Sequence, residues 1–269
     1  MAFAGDEIGQ VDNWGQVETQ ESEDDEAHPE KWTEQCTKHP GHTSYIDVDK
    51  LSLNDLPINH RHELFLNLVK VAAFLTFKII VNKTSLNRPE FWPDSKKPYP
   101  FQKNAIVDKL RCASGRVWGI LKYVDGIKDG EKQCSSFPTC PCKKCRLSET
   151  PRTTWWKITA RTAAHVIYDD SEAEHACCTM FYDRSDSEVV ELDNITVPYV
   201  NVEFDTAKLT LYTCDPEIAE RLTQQLKNFN DIWDKMCELN SDAVSGVDKC
   251  VFVISHPHGM TKKLVLVSG

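Results

Sequence analysis

Short alternating stretches recur through the second half of this chain, and they restrict it to few architectures. Trp155 to Thr162, Cys178 to Tyr182, Glu188 to Leu192, Ile195 to Val202 and Lys208 to Cys214 are brief apolar or alternating segments separated by turn residues. Successive side chains of a strand point to opposite faces, so each such segment can bury one face. Several short strands in a row predict a barrel or a sandwich. Ala113 to Val124 (ASGRVWGILKYV) reads as a strand pair by the same alternation, and Phe77 to Val81 is a further β-rich run.

Two segments follow a helical period instead. Leu64, Leu68, Val71, Ala72 and Leu75 recur at three- and four-residue spacing and predict a helix from Asn59 to about Phe77, after a turn-rich entry at Asp47 to Leu56. In Asp215 to Leu239 the apolar stripe is Ile218, Leu222, Leu226, Phe229, Trp233 and Met236. Asp215 can cap the N-terminus, Pro216 fits the first turn, and Glu217 favours the positive end of the helix dipole. A long amphipathic helix docked on the β-rich part is expected. Two more strands, Cys250 to Ser255 and Lys262 to Val267, flank a turn HPHG at His256 to Gly259. The fold class expected is therefore mostly β with helices, α+β.

The remaining regions are read from composition. Residues 1 to 42 are acidic and poor in aliphatic side chains, with the run ESEDDE at Glu21 to Glu26, and predict a disordered tail. Arg88 to Phe101 carries Pro89, Pro93, Pro98 and Pro100 among Phe91, Trp92, Tyr99 and Phe101, and reads as an extended clamp over the core. A proline-recognition ligand is the other reading of that stretch. The formal net charge of −10 disfavours phosphate-driven binding of nucleic acid or anionic membrane. The longest apolar run, Leu64 to Val81, is interrupted by Asn67, Lys70 and Lys78, so no bilayer span is expected. The N-terminus has no basic region leading into an apolar core, which predicts a cytoplasmic protein. The eleven cysteines should then be thiols or metal ligands, not disulfides.

Two short patterns carry the chemistry. Thr162 to His165 (TAAH) ends a predicted strand with a histidine on small residues, and Asp205 opens the alternating run DTAKLTL. Together they resemble the histidine and aspartate segments of chymotrypsin-like serine peptidases. The resemblance spans Ala113 to the C-terminus and extends to trypsin-like proteins of marine invertebrates. It implies an N-terminal trypsin-like β-barrel plus the start of a second barrel, with His165 as general base and Asp205 as its orienter. On this reading 43–101 is a helix and proline-aromatic segment packing on the core, 102–214 the barrel with a cysteine-rich hairpin, 215–240 the helix, and 241–269 a partial second barrel. VISHPHG at Val253 to Gly259 resembles the G-x-P-x-G turn that precedes the nucleophile in that class, with Ser255 or His256 where glycine is usual. A plain tight turn is the other reading, and His256 with His258 as metal ligands a third.

The G-D-S-G type of loop that should follow is absent, and the chain reaches Ser268 and Gly269 without it. Ser268 lacks the flanking residues of an oxyanion loop, and Ser255 lies inside a predicted strand. Cys177, Cys178 and Cys214 are weaker thiol alternatives. The expectation is a serine-peptidase-like protein that is inactive as written and binds peptide or protein partners. One alternative is the N-terminal part of an active trypsin-like endopeptidase. The other is a zinc-stapled interaction module of unrelated origin, resting on CSSFPTCPCKKC. Its Cys134, Cys140, Cys142 and Cys145 could converge on one structural tetrahedral Zn²⁺, with Cys112 or His175 able to replace Cys134.

Overall fold

The computed structural model describes residues 20–22, 34, 36, 44–102, 110–129, 135–240 and 250–268. In chain order the strands are β1 (Gln20–Ser22), β2 (Ile46–Asp47), β3 (Thr76–Val81), β4 (Leu110–Val124), β5 (Ile127–Lys128), β6 (Thr154–Thr162), β7 (Ala176–Met180), β8 (Val190–Leu192), β9 (Thr196–Asn201), β10 (Thr206–Thr213), β11 (Cys250–Ser255) and β12 (Lys263–Ser268). The α-helices are α1 (Glu63–Phe74), α2 (Lys143–Arg146), α3 (Asp170–Ala173) and α4 (Pro216–Asn240). No helix among the described residues is long and apolar enough to cross a membrane.

The main sheet is antiparallel, and its hydrogen-bonded path runs β8-β7-β3-β4-β6-β10-β9. It curls into a half-barrel in a mixed α+β fold. A closed barrel was expected. Instead β8 and β9 end the path without pairing each other. The alternation predicted from sequence is what fills the interior: Phe77, Ile79 and Val81 of β3, Ile158 and Ala160 of β6, and Leu209 and Leu211 of β10 are all buried in one cluster. Each aliphatic or aromatic side chain of this kind contributes about 1.5–3 kcal/mol when removed from water.

Helix α4 covers this core. Asp215 Oδ1 accepts from the amides of Glu217 at 2.9 Å and Ile218 at 3.3 Å, so the expected cap is present. Its first turns put Ile218 and Leu222 into the half-barrel, while Phe229, Ile232 and Met236 pack into a second cluster. That second cluster joins Phe65, Leu66, Leu68 and Val69 of α1 to Leu264 of β12 and to Phe252 and Ile254 of β11. The strands β11, β12 and β2 form a separate three-stranded sheet in that order. The helix α1 is shorter than its periodicity suggests, because His62 caps it by accepting from the Phe65 amide at 3.1 Å, and a 3₁₀ turn over Ile58–His60 precedes it.

Two further expectations need correction. Ala113 to Val124 lies within one long strand, β4, whose register against β6 shifts between Val117 and Gly119. A bulge there bends the strand without ending it. The tail expected to lack structure supplies β1, in which Gln20, Glu21 and Ser22 pair with Cys112, Arg111 and Leu110 of β4. An open strand edge offers backbone donors and acceptors that need no aliphatic partner. The other residues of that tail lie outside the described residues, apart from Glu34 and Cys36. The tight turn expected at HPHG is present as a 3₁₀ turn over Pro257–Gly259, with His258 and Gly259 both at positive φ.

The proline-aromatic segment buries two of its rings. Trp92 and Tyr99 are buried and meet edge to face at 4.7 Å, and Phe91 bridges to Pro98.

Candidate functional site

The histidine and the aspartate meet because their strands do. β10 pairs with β6 from Ala207↔Thr162 to Thr213↔Trp156, so the end of β6 lies beside the start of β10. His165 sits three residues past β6, in a turn closed by the Val166 amide bonding to the Ala163 carbonyl at 3.1 Å. Ala164, Val166 and Ile167 are buried on either side of it and anchor the turn in the core. Asp205 precedes β10 in a left-handed conformation, φ 45°. Asp and Asn tolerate that region better than most residues.

The Asp205 carboxylate grips His165 twice. Its Oδ2 lies 2.6 Å from the imidazole Nδ1, and its Oδ1 accepts from the His165 backbone amide at 3.0 Å. Both side chains are largely shielded, at 14% and 22% exposure. An ionised carboxylate only accepts, so Nδ1 carries the proton and Nε2 is the basic nitrogen. The two contacts together fix the orientation of the ring.

The two serines weighed from sequence belong to the other sheet: Ser255 ends β11 and Ser268 ends β12. His256, next to Ser255, is committed to holding the sheets together. Its amide donates to Ser114 Oγ of β4 at 2.7 Å, and its Nδ1 lies 3.0 Å from the Met260 carbonyl. Burial, with Lys262 nearby, depresses its pKa to about 3. Lys262 is itself buried and pairs with Asp183 at 2.5 Å. Among the described residues the histidines of this turn belong to no metal-ligand cluster.

A second constellation forms at the opposite end of β10. Cys140 and Cys142 come from the loop that enters α2, Cys145 from α2 itself, and Cys214 follows β10 directly. Their four sulfurs lie within 4.8 Å of one another, with Cys142 Sγ 3.9 Å from Cys214 Sγ. A tetrahedral Zn²⁺ site with bonds of about 2.3 Å has sulfur–sulfur edges of about 3.8 Å, so this cluster could hold a metal ion such as zinc. The surroundings support it. Tyr123, Trp155 and Tyr212 pack around the cysteines, and Tyr123 stacks on Trp155 at 4.3 Å. Burial pushes the Cys140 thiol up, and burial with the Cys145 contact raises Cys214 to about 12. Cys145 moves the other way: burial opposes its ionisation, but hydrogen bonds from Arg152, Cys214, Cys142 and Cys140 lower its pKa.

The ligand set differs from the one read from sequence. Cys134 lies outside the described residues. Cys112 packs with Leu110 and Ile80 in β4 and β3, in a separate small cluster. His175 lies near Lys83, with its Nε2 3.5 Å from Nζ. The described fourth sulfur is Cys214, which pattern spacing could not reveal because the β6–β10 pairing brings it there. The cluster borders a surface cavity of about 1120 Å³, also lined by Lys143, Arg152, Glu191 and Asp215. Compared with known proteins, the chain matches no family, no curated protein and no solved structure.

Proposed function

We propose that this chain is a serine-peptidase-like protein in which a chymotrypsin-type His–Asp pair is retained on the half-barrel and the fold serves peptide or protein binding. The observation that carries this reading is the double grip of Asp205 on His165, at ring and backbone together. The strand order supports it. The histidine follows β6 and the aspartate precedes β10, its neighbour in a curled antiparallel sheet, so the pair is presented from one end of two adjacent strands. The sequence offers no G-D-S-G loop, and Ser255 and Ser268 are strand residues of the second sheet. Base and orienter without nucleophile and oxyanion donors give no acyl transfer. The purified 269-residue chain should neither react with a fluorophosphonate nor cleave casein-derived peptides. Stoichiometric labelling that vanishes in His165→Ala would overturn the binding role and establish an active hydrolase.

The cysteine cluster favours a second, compatible role. We propose that Cys140, Cys142, Cys145 and Cys214 hold one structural Zn²⁺, because four protein sulfurs leave no open position for substrate or water. The ion would staple the loop entering α2 to the junction of β10 and α4. Elemental analysis of protein purified without chelator should return one zinc per chain, and a metal-free preparation with unchanged stability would exclude the staple.

A further inference from the structure

His165 is held at its amide by Asp205, and its carbonyl is held from the other side. Arg88 Nη2 donates to the His165 carbonyl oxygen at 3.0 Å, and its Nη1 donates to the Pro100 carbonyl at 3.1 Å. The same guanidinium grips Glu172 with two bonds, Nε to Oε1 at 2.6 Å and Nη2 to Oε2 at 2.7 Å. Both side chains have no exposure to solvent. Glu172 is further satisfied by the amides of Ser85 at 2.7 Å and Tyr168 at 2.9 Å and by Arg111 Nη2 at 3.2 Å. Around the fork stand the rings of Tyr99, Phe101 and Tyr168, each with its centroid within 6 Å of Arg88 Cζ.

We propose that Arg88, oriented by Glu172, is the positioning residue of the His165 site: it fixes the backbone from which the imidazole is presented to Asp205. The inference rests on the reading of His165 and Asp205 as a retained base and orienter. The physical case is one of geometry. A planar guanidinium can donate to a carboxylate through two groups while its remaining protons reach two carbonyls, and a lysine ammonium cannot reproduce that fork. The bonds are made in a dry, aromatic-lined site, where a directional hydrogen bond is stronger than in water. They tie four separate stretches of chain to one point: the β3–β4 connection through Arg88 and Ser85, the strand β4 through Arg111, the turn after β6 through His165 and Tyr168, and α3 through Glu172. With its amide on Asp205 and its carbonyl on Arg88, the peptide groups on both sides of His165 are held, beside the 2.6 Å ring contact. The proline-aromatic segment acquires a function here, since it carries Arg88, the Pro100 carbonyl and two of the rings that seal the fork.

The test is nuclear magnetic resonance of the His165 ring in the full chain, which reports geometry without needing activity. The wild-type protein should show a protected, low-field Nδ1 proton from the contact with Asp205. Arg88→Lys should lose that resonance while the amide signals of β11 and β12 stay in place. Arg111→Lys, which touches Glu172 but not His165, should keep it. A low-field proton unchanged in Arg88→Lys, or lost equally in both variants, would overturn the proposal. Should Arg88→Lys fail to fold, the wild-type chain decides by hydrogen exchange. The Arg88 Nε proton and the His165 and Tyr168 amides should then exchange together, within about threefold, as one opening unit. Exchange of the Arg88 proton more than tenfold faster than the His165 amide would refute the coupling. Fluorophosphonate labelling bears on the proposed function alone, so the two failures are separable.

Discussion

Gly115 of β4 faces the ring of Phe77 on β3 so closely that a Cβ there would lie 2.6 Å from Phe77 Cζ and 2.9 Å from Ile79 Cδ1. The two residues are register partners across the strands, and Phe77 is fully buried. The glycine is needed for space, and its backbone angle is ordinary. Gly115→Ala should force the aromatic ring off its position and cost about 1–3 kcal/mol, the usual penalty for overpacking a closed core. Urea denaturation would read this as a lower midpoint at unchanged slope. An unaffected midpoint would mean that the core around Phe77 yields more easily than its packing implies.

The metal set gives a sharper contrast between two cysteines. Cys214→Ser removes a sulfur from the described cluster, whereas Cys134→Ser does not. Zinc content should fall well below one equivalent in the first variant and stay near one in the second, measured by elemental analysis after gel filtration. Because binding and folding are coupled in such sites, Cys214→Ser should also lose the stabilisation that zinc gives to wild type. Equal zinc loss in Cys134→Ser would restore the set that spacing alone suggested.

That contrast shows what could be read from the sequence and what could not. The strand ends bearing His165 and Asp205 were legible because Ala207, Leu209 and Leu211 alternate and the TAAH turn follows a strand pattern. The α4 stripe was legible at Ile218, Leu222, Leu226, Phe229 and Met236, and so was its Asp215 cap, but Trp233 is exposed and Ile232 packs in the second cluster in its stead. Cys214 was not, since its role depends on Thr213 pairing with Trp156, a long-range register that no local pattern encodes. Arg88 and Glu172 were equally silent. In sequence they look like any exposed charges, and only the fold makes them partners 84 residues apart. The continuity of β4 was missed because a bulge mimics a break in the alternation.

Removing Glu172 should be among the most damaging single changes in the chain. Glu172→Ala leaves two buried guanidinium groups, Arg88 and Arg111, without their carboxylate. Breaking a buried pair from one side typically costs about 3–5 kcal/mol, far more than the net worth of the intact pair. Thermal or urea unfolding should show that loss. A penalty below about 1 kcal/mol would indicate that water enters and solvates the arginines.

Acid should weaken the junction between the two sheets through His256. Its pKa in the folded protein is depressed to about 3 by burial, from an ordinary value of 6.5. Between those values the unfolded chain binds the proton and the folded one does not. The stability contribution is therefore complete above about pH 6.5 and is lost progressively as pH falls toward about 3, at up to roughly 1.4 kcal/mol per pH unit. His256→Asn should flatten that part of the pH profile relative to wild type, since its amide nitrogen can still reach the Met260 carbonyl but does not titrate. Parallel profiles for the two proteins would assign the acid sensitivity to carboxylates instead.

The His165–Asp205 pair makes a prediction about tautomers that is independent of any reaction. Asp205→Asn should preserve the local backbone, because asparagine is tolerated at the left-handed φ of 45° and its carbonyl can still accept from the His165 amide. The atom facing Nδ1 then becomes an NH₂ donor, so the ring must present a lone pair at Nδ1 and carry its proton on Nε2. The basic nitrogen is moved to the wrong side, the same physical fault that disables the triad when its aspartate is replaced by an amide. Ring-nitrogen shifts of His165 should therefore exchange their protonated and unprotonated values between wild type and Asp205→Asn, with little change elsewhere in the spectrum. Asp205→Ala should instead leave the ring without an orienter and lower stability as well, since alanine gains nothing from the left-handed backbone and the His165 amide loses its acceptor. If both variants kept the Nδ1 proton of the wild type, Asp205 would not be what sets the tautomer.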